Sequence, residues 1–308
     1  MKDKLIKHLE EYGKDRSYTE LFNLYPYSPN LTNKQKSDSV RNIWKKVKKS
    51  RVISINPPTP PPTGLKVLLF DIETAPIMGA VWTIWNTNLG PMNGSIQSDW
   101  FMFSWAAKWL HGADVISDVL TGDEALREDD SRITKSLWHL IDEADVIIGH
   151  NSKNFDHKKV NTKFLQHGLI CPSPYQIIDT LTEAKKAFAF TSNKLDYIAQ
   201  TLGVGKKIKT NMQLWIDCYR GNEEALKNMD TYCKMDVEVL EKVYLEIRRF
   251  IKSHPVIFEG ENCHVCGSTN LSPNGTHRTQ ITKTQTHTCN NCGSINKEST
   301  KGYVASSK

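Results

Sequence analysis

Two acids one residue apart, Asp71 and Glu73, close the apolar run of KVLLFDIE (66–73). In an extended strand, residues i and i+2 point to one face, so the two carboxylates stand side by side with no basic residue beside them. Like charges that close raise each other's pKa, and something must offset the cost. Further along, Asp156 follows a polar loop after VIIGHN (146–151) at the expected start of a helix. Tyr232 and Asp236 lie four residues apart in NMDTYCKMDVEVLEKVYLEI (228–247), where helical spacing puts them on one face. A second donor set closes the chain. CHVCG (263–267) and CNNCG (289–293) are two tight turns, and Cys263, Cys266, Cys289 and Cys292 supply the four tetrahedral ligands of one structural Zn²⁺. A closed four-cysteine site leaves no position for substrate, so its role is folding.

The elements that must position these groups can be read from pattern. Of 308 residues, 39% are hydrophobic and 9% aromatic, which fits a globular chain with a sizeable core. No apolar run is long enough to span a membrane. The first residues, MKDKLIKHLEEYGKDR, carry charges throughout and no apolar signal region, and the cysteine pattern suits a reducing cytoplasm. Five prolines between Pro57 and Pro62 mark a semi-rigid spacer over 54–64.

Before the spacer, residues 1–53 predict three short helices, the last with Val40, Ile43, Trp44 and Val47 on one side and Lys34, Arg41, Lys45 and Lys48 on another. The first 63 residues hold 13 Lys and Arg against 6 Asp and Glu. A basic arm ending in such a helix resembles a helix-turn-helix module docking on nucleic acid; the plainer reading is a solvated face. After the spacer, apolar runs at 66–73, 99–110, 114–120 and 145–151 predict strands and 129–143 a helix, an α/β order. GVGKK (203–207) lacks the G-x-x-x-x-G-K-[ST] pattern, so no nucleotide-binding loop is assigned there.

Asp71-Ile72-Glu73, Asn151 through Phe155-Asp156, and Tyr232-x-x-x-Asp236 resemble, in order, the three motifs of the DEDD superfamily of 3′→5′ exonucleases, tyrosine branch. KLDYIAQTLGVGKK (194–207) is similar to the segment between the second and third motifs in the exonuclease domains of family B DNA polymerases. The resemblance covers about 65–252. It implies a ribonuclease-H-like mixed sheet with flanking helices over 65–254, between the small helical domain and a zinc ribbon at 260–304. It implies two Mg²⁺ or Mn²⁺ ions, with Asp71 bridging both, Glu73 and Asp236 on the ion that binds the attacking water, and Asp156 on the second. Tyr232 would orient the water, since a phenol with a pKa of ~10 is a poor base at neutral pH. Asn151 and Phe155 would be structural or substrate-positioning, and His150 a satisfied histidine at a strand end.

Trp82, Trp85 and Trp100 fall in the region that in this superfamily approaches the 3′-terminal nucleotide, where aromatic faces stack on bases. HRTQITKTQTHT (277–288) alternates in a strand-like way and carries Arg278 and Lys283, a further place for nucleic-acid contact. The expected activity is hydrolysis at 3′ ends, with single-stranded DNA favoured over RNA. The chain carries no polymerase of its own, so proofreading would need a separate replication or repair partner. The alternatives are an RNA-directed or structure-selective nuclease, and a non-cutting nucleic-acid adaptor on the same scaffold. The complete acid set favours the enzyme.

Overall fold

The computed structural model describes residues 65–83, 85, 94–258, 260–278 and 283–297. The predicted N-terminal helices and the proline spacer, and with them Lys34, Arg41, Lys45 and Lys48, lie outside the described residues.

Strand β1 (Val67–Thr74) is the axis of the molecule. Its run of Val, Leu and Phe suits a strand buried on both faces. It pairs antiparallel with β4 (Met102–Trp109), which pairs antiparallel with β5 (Ile116–Val119). On its other edge it runs parallel to β6 (Val146–Gly149), and β6 runs parallel to β7 (Gln176–Asp179). The five-stranded mixed sheet thus has the order β5-β4-β1-β6-β7. The short strands β2 (Met78–Gly79) and β3 (Ile96–Ser98) form a separate antiparallel pair beyond β1. The expected α/β fold with a ribonuclease-H-like mixed sheet and flanking helices is what the chain adopts.

Alternation along β1 separates two cores. Leu68, Phe70 and Ile72 face one side, where α2 (Ser131–Glu143) presents Ile133, Leu137 and Ile141, and α3 (Asp156–Gln166) presents Val160 and Phe164. The brief helix α1 (Gly122–Leu126) leads into α2, its start closed by Thr121 and Glu124 in a reciprocal cap. Val67 and Leu69 face the other side, against α5 (Leu195–Leu202) and α7 (Glu223–Ile247). α7 is 25 residues long and starts at Glu223, five residues before the expected position, because the Asn222 side chain caps it by accepting from Glu224 N and Ala225 N. Three helices were not read from the sequence: α1, α4 (Thr180–Ala187) after β7, and α6 (Met212–Tyr219) before α7.

The C-terminal region is a three-stranded antiparallel sheet in which β9 (Lys283–Cys289) lies between β8 (Leu271–Arg278) and β10 (Ile295–Lys297). The strand-like alternation at 277–288 falls in β8 and β9. Arg278 ends β8 and faces Lys283 at the start of β9, so the stretch folds back on itself. Alternation was genuine in both halves, and a period-2 pattern carries no mark of the reversal between them.

Candidate functional site

The face alternation of β1 decides where the acids go. Asp71 and Glu73 follow Val67 and Leu69 toward α7, while Ile72 turns into the opposite core. Opposite them on β4 sit Ala106 and Ser104, and the register slips between Glu73 and Thr74, a bulge that ends regular pairing beside the acids. On α7, Met229, Cys233, Val237 and Leu240 are buried, and that packing holds Asp236 against the sheet with 2% of its surface exposed. Carboxylate oxygens of Asp71, Glu73 and Asp236 come within 4.8 Å of one another. Residues 165 positions apart in the chain form one cluster. Neither Asp236 oxygen accepts a directed hydrogen bond, although Lys207 Nζ ion-pairs with Oδ2.

Asp156 opens α3 beside this trio without joining it. Its Oδ1 accepts from the backbone N–H of Ile72 at 3.4 Å, which ties the helix start to the middle of β1. The turn before it is built for this placement. A side chain at Gly149 would put its Cβ 2.3 Å from Ser152 Cβ, so only glycine lets the loop fold back on the strand end. Asn151 takes a left-handed conformation at φ 67°, which asparagine tolerates. Buried Asp179 accepts backbone N–H groups from Asn151, Lys153, Leu181 and Thr182, joining this turn to the start of α4. Asp179→Ala would orphan all four donors, and a loss of about 2–4 kcal/mol is expected by denaturant unfolding. His150 is satisfied as expected, with Nδ1 2.9 Å from Thr180 Oγ1 and Nε2 2.9 Å from the Asn193 carbonyl.

Electrostatics mark the cluster as short of positive charge. Asp71 is pushed far above the usual carboxylate range, first by burial and then by Asp156, Asp236 and Glu73. Glu73 rises to about 8, by burial and the Asp236 charge, and Asp156 to about 7, chiefly by burial. Asp236 is raised by burial, with Lys207 pulling the other way. Burial alone would lower the Lys207 ammonium, but Asp236 and Asp71 more than offset it and its pKa ends up raised. The Tyr232 hydroxyl is pushed up to about 12 by burial and then by Asp236. Lys207 sits 5.5 Å over the Tyr232 ring, and Trp215 meets that ring edge-on at 5.9 Å.

Lys207 is the site residue the sequence reading missed. It was dismissed with GVGKK as a failed phosphate loop. The loop is pinned by its own N–H donating to Asp196 Oδ1 at 2.8 Å, after α5 ends on left-handed Gly203. One ammonium cannot balance three or four carboxylates. An oxygen-only donor set of buried, mutually repelling carboxylates fits a hard divalent ion such as Mg²⁺ or Mn²⁺.

Around the acids, Trp82 and Trp85 are exposed on the segment after β2. Trp100 is instead held beneath two cations, Lys159 Nζ at 3.9 Å and Lys163 Nζ at 4.7 Å from its ring centroid. Phe155 is 41% exposed next to Asp156, with Lys159 Nζ 4.9 Å from its ring. A cavity of about 470 Å³ opens beside the cluster, lined by Thr74, Ala75, Asn211 and Trp215 among others.

The four cysteines also converge, all buried, with sulfurs within 4.8 Å of one another. Cys263 and Cys292 sulfurs are 3.7 Å apart, Cys266 and Cys289 3.6 Å. A tetrahedron with metal–sulfur bonds of about 2.3 Å has sulfur–sulfur edges of about 3.8 Å, so these two edges are compatible with Zn²⁺.

A family model described as the RNase_H superfamily matches residues 68–248, a span from β1 to the end of α7. Among solved structures, the family B DNA polymerase from the hyperthermophilic archaeon Pyrobaculum calidifontis is similar over 60% of this chain, at 21% identity and a TM-score of 0.43. The match covers 24% of that polymerase. No curated protein matches the chain.

Proposed function

The chain belongs to the RNase_H superfamily, and from that premise we propose that it is a metal-dependent 3′→5′ exonuclease of the tyrosine branch of the DEDD superfamily. Its substrate is the 3′ end of nucleic acid, single-stranded DNA before RNA, and its product nucleoside monophosphates. The observation that carries this reading is the meeting of Asp71, Glu73 and Asp236 within 4.8 Å, on elements from opposite ends of the matched span. Asp71, Glu73 and Asp236, with Asp156 beside them, would hold two Mg²⁺ or Mn²⁺ ions. Such ions supply charge stabilisation to the attacking and leaving oxygens of an in-line displacement at phosphorus.

The chain's own groups have separate tasks. With a pKa near 12, the Tyr232 hydroxyl keeps its proton, so it orients the attacking water by hydrogen bonding and does not deprotonate it. Phe155 offers a ring face for the terminal base, and Lys159 beside it a charge for a strand phosphate. In this reading 65–254 is the nuclease, 1–53 a basic helical domain behind the 54–64 spacer, and 260–304 a zinc ribbon whose Cys₄ centre is structural. Among the described residues no helix is long and apolar enough to cross a membrane. A replication or repair protein is the partner that would give the activity a context.

One observation favours the non-cutting adaptor: Lys207 already neutralises part of the Asp236 charge. A digestion time course separates the two. With 5′-labelled single-stranded DNA and matched RNA, Mg²⁺ should give a ladder shortening from the 3′ end, and EDTA should stop it. Binding without cutting under both conditions would establish the adaptor.

A further inference from the structure

Arg248, at the C-terminal end of α7, is a fully buried cation with no carboxylate paired to it among the described residues. Its exposure is 0%, its nitrogens lack a well-directed hydrogen bond, and the polar group beside it is the neutral Tyr244 hydroxyl. An uncompensated buried guanidinium costs several kcal/mol. Glu241, which acts on His111 as Arg248 does, is already engaged: it accepts from Lys108 Nζ at 2.6 Å and from His111 N at 3.4 Å. The flanking histidines supply no negative charge. His111 and His254 are both pushed down to about 4, first by burial, with Arg248 among the lesser causes. Tyr244 donates to His254 Nε2 at 2.8 Å, since His254 Nδ1 is turned to the Pro255 carbonyl. The negative end of α7 offsets part of the cost, of order 1 kcal/mol.

Two residues beside Arg248 also sense the cysteine centre. Tyr244 feels both Arg248 and the sulfurs of Cys292 and Cys266, and His254 feels both Arg248 and Cys263. The next residue, Arg249, packs its Cδ 3.2 Å from where a Cβ on Gly293 would stand, in the second cysteine turn. The His264 carbonyl, in the first turn, accepts from Ile257 N at 2.8 Å, and the Ile257 carbonyl accepts from Leu65 N at 3.2 Å, at the entry to β1. Both cysteine turns are therefore seated at the end of α7.

Four thiolates around one Zn²⁺ carry a net charge of about −2. We propose that Arg248 is the counter-cation of the zinc–tetrathiolate centre, so that zinc loading and seating of the ribbon on the end of α7 are one coupled equilibrium. This rests on the zinc reading above. It makes Arg248 a positioning residue: it neither binds the metal nor touches substrate, but it links the metal centre to the helix that carries Tyr232 and Asp236. By linkage, any loss of zinc affinity on removing the charge equals the loss of seating when zinc is bound.

The test uses the full chain as wild type, Arg248→Met and Arg248→Lys, with zinc content by elemental analysis, zinc affinity by competition with a chromophoric chelator, and melting temperature with and without zinc. Arg248→Met should weaken zinc binding about 10- to 100-fold, the range for partners outside the ligand set. It should lower the melting temperature of the zinc-loaded protein and leave the stripped protein unchanged or raised, because the stripped protein has lost the charge that Arg248 balances. Arg248→Lys should recover most of the affinity. Equal destabilisation in both states, or unchanged zinc affinity, would overturn the proposal. A wild type that holds no zinc would instead overturn the zinc reading itself, which the elemental analysis reads directly.

Discussion

Asp71→Asn is expected to lower strand shortening by at least about 10³-fold, roughly 4 kcal/mol of transition-state stabilisation, while leaving strand binding within about twofold. Asparagine keeps the shape and removes the charge. Asp71 is raised first by burial and then by three neighbouring carboxylates, so it is a place where a metal ion has repulsion to relieve. The substitution should therefore stabilise the metal-free protein while it destroys the activity, the trade expected of a site whose charges are held together for chemistry. Rate and melting temperature measured on one preparation check both halves. An Asp71→Asn protein that cuts at the wild-type rate would move the chemistry to another site. One that loses activity together with stability would reduce Asp71 to a structural role.

The second large effect is a coupling of pH, metal and stability. In the metal-free protein Glu73 titrates near 8 and Asp156 near 7, with Asp71 and Asp236 also raised, against about 4 for these side chains in an unfolded chain. The folded state thus holds protons more tightly than the unfolded one. Their contribution to stability is complete below pH ~4 and is lost as pH rises through 7 to 8. Between pH 5 and 8 in EDTA the melting temperature should fall, by roughly 5–10 °C if the net loss is a few kcal/mol. Saturating Mg²⁺ should flatten the profile by replacing the protons as the neutralising charge. Lys207, whose pKa is raised, stays charged throughout this window and does not contribute to the slope. A metal-free profile that rises from pH 5 to 8 would show that the acids are more solvated or better paired than their geometry indicates.

Much of this was legible in the chain itself. A Val-Leu-Leu-Phe run suits a buried strand, and in a strand period 2 puts Asp71 and Glu73 on one face whatever surrounds them. Helical spacing unites Tyr232 with Asp236, and two CxxC turns aim four thiols at one point. These are local facts, fixed by dihedral geometry within a few residues. Other features arise only when distant segments meet. Which face of β1 meets α7 depends on how two cores divide its alternation, and no local pattern states it. Lys207 looked like part of a failed phosphate loop because its role depends on Asp196 pinning its backbone and on Asp236 arriving from 29 residues further on. The strand-like stretch 277–288 falls in two strands, and alternation is blind to the reversal between them. Arg248 reads as one more surface charge on the end of an amphipathic helix. In the folded chain it is a buried cation, because burial, unlike spacing, is a property of everything that packs around a residue.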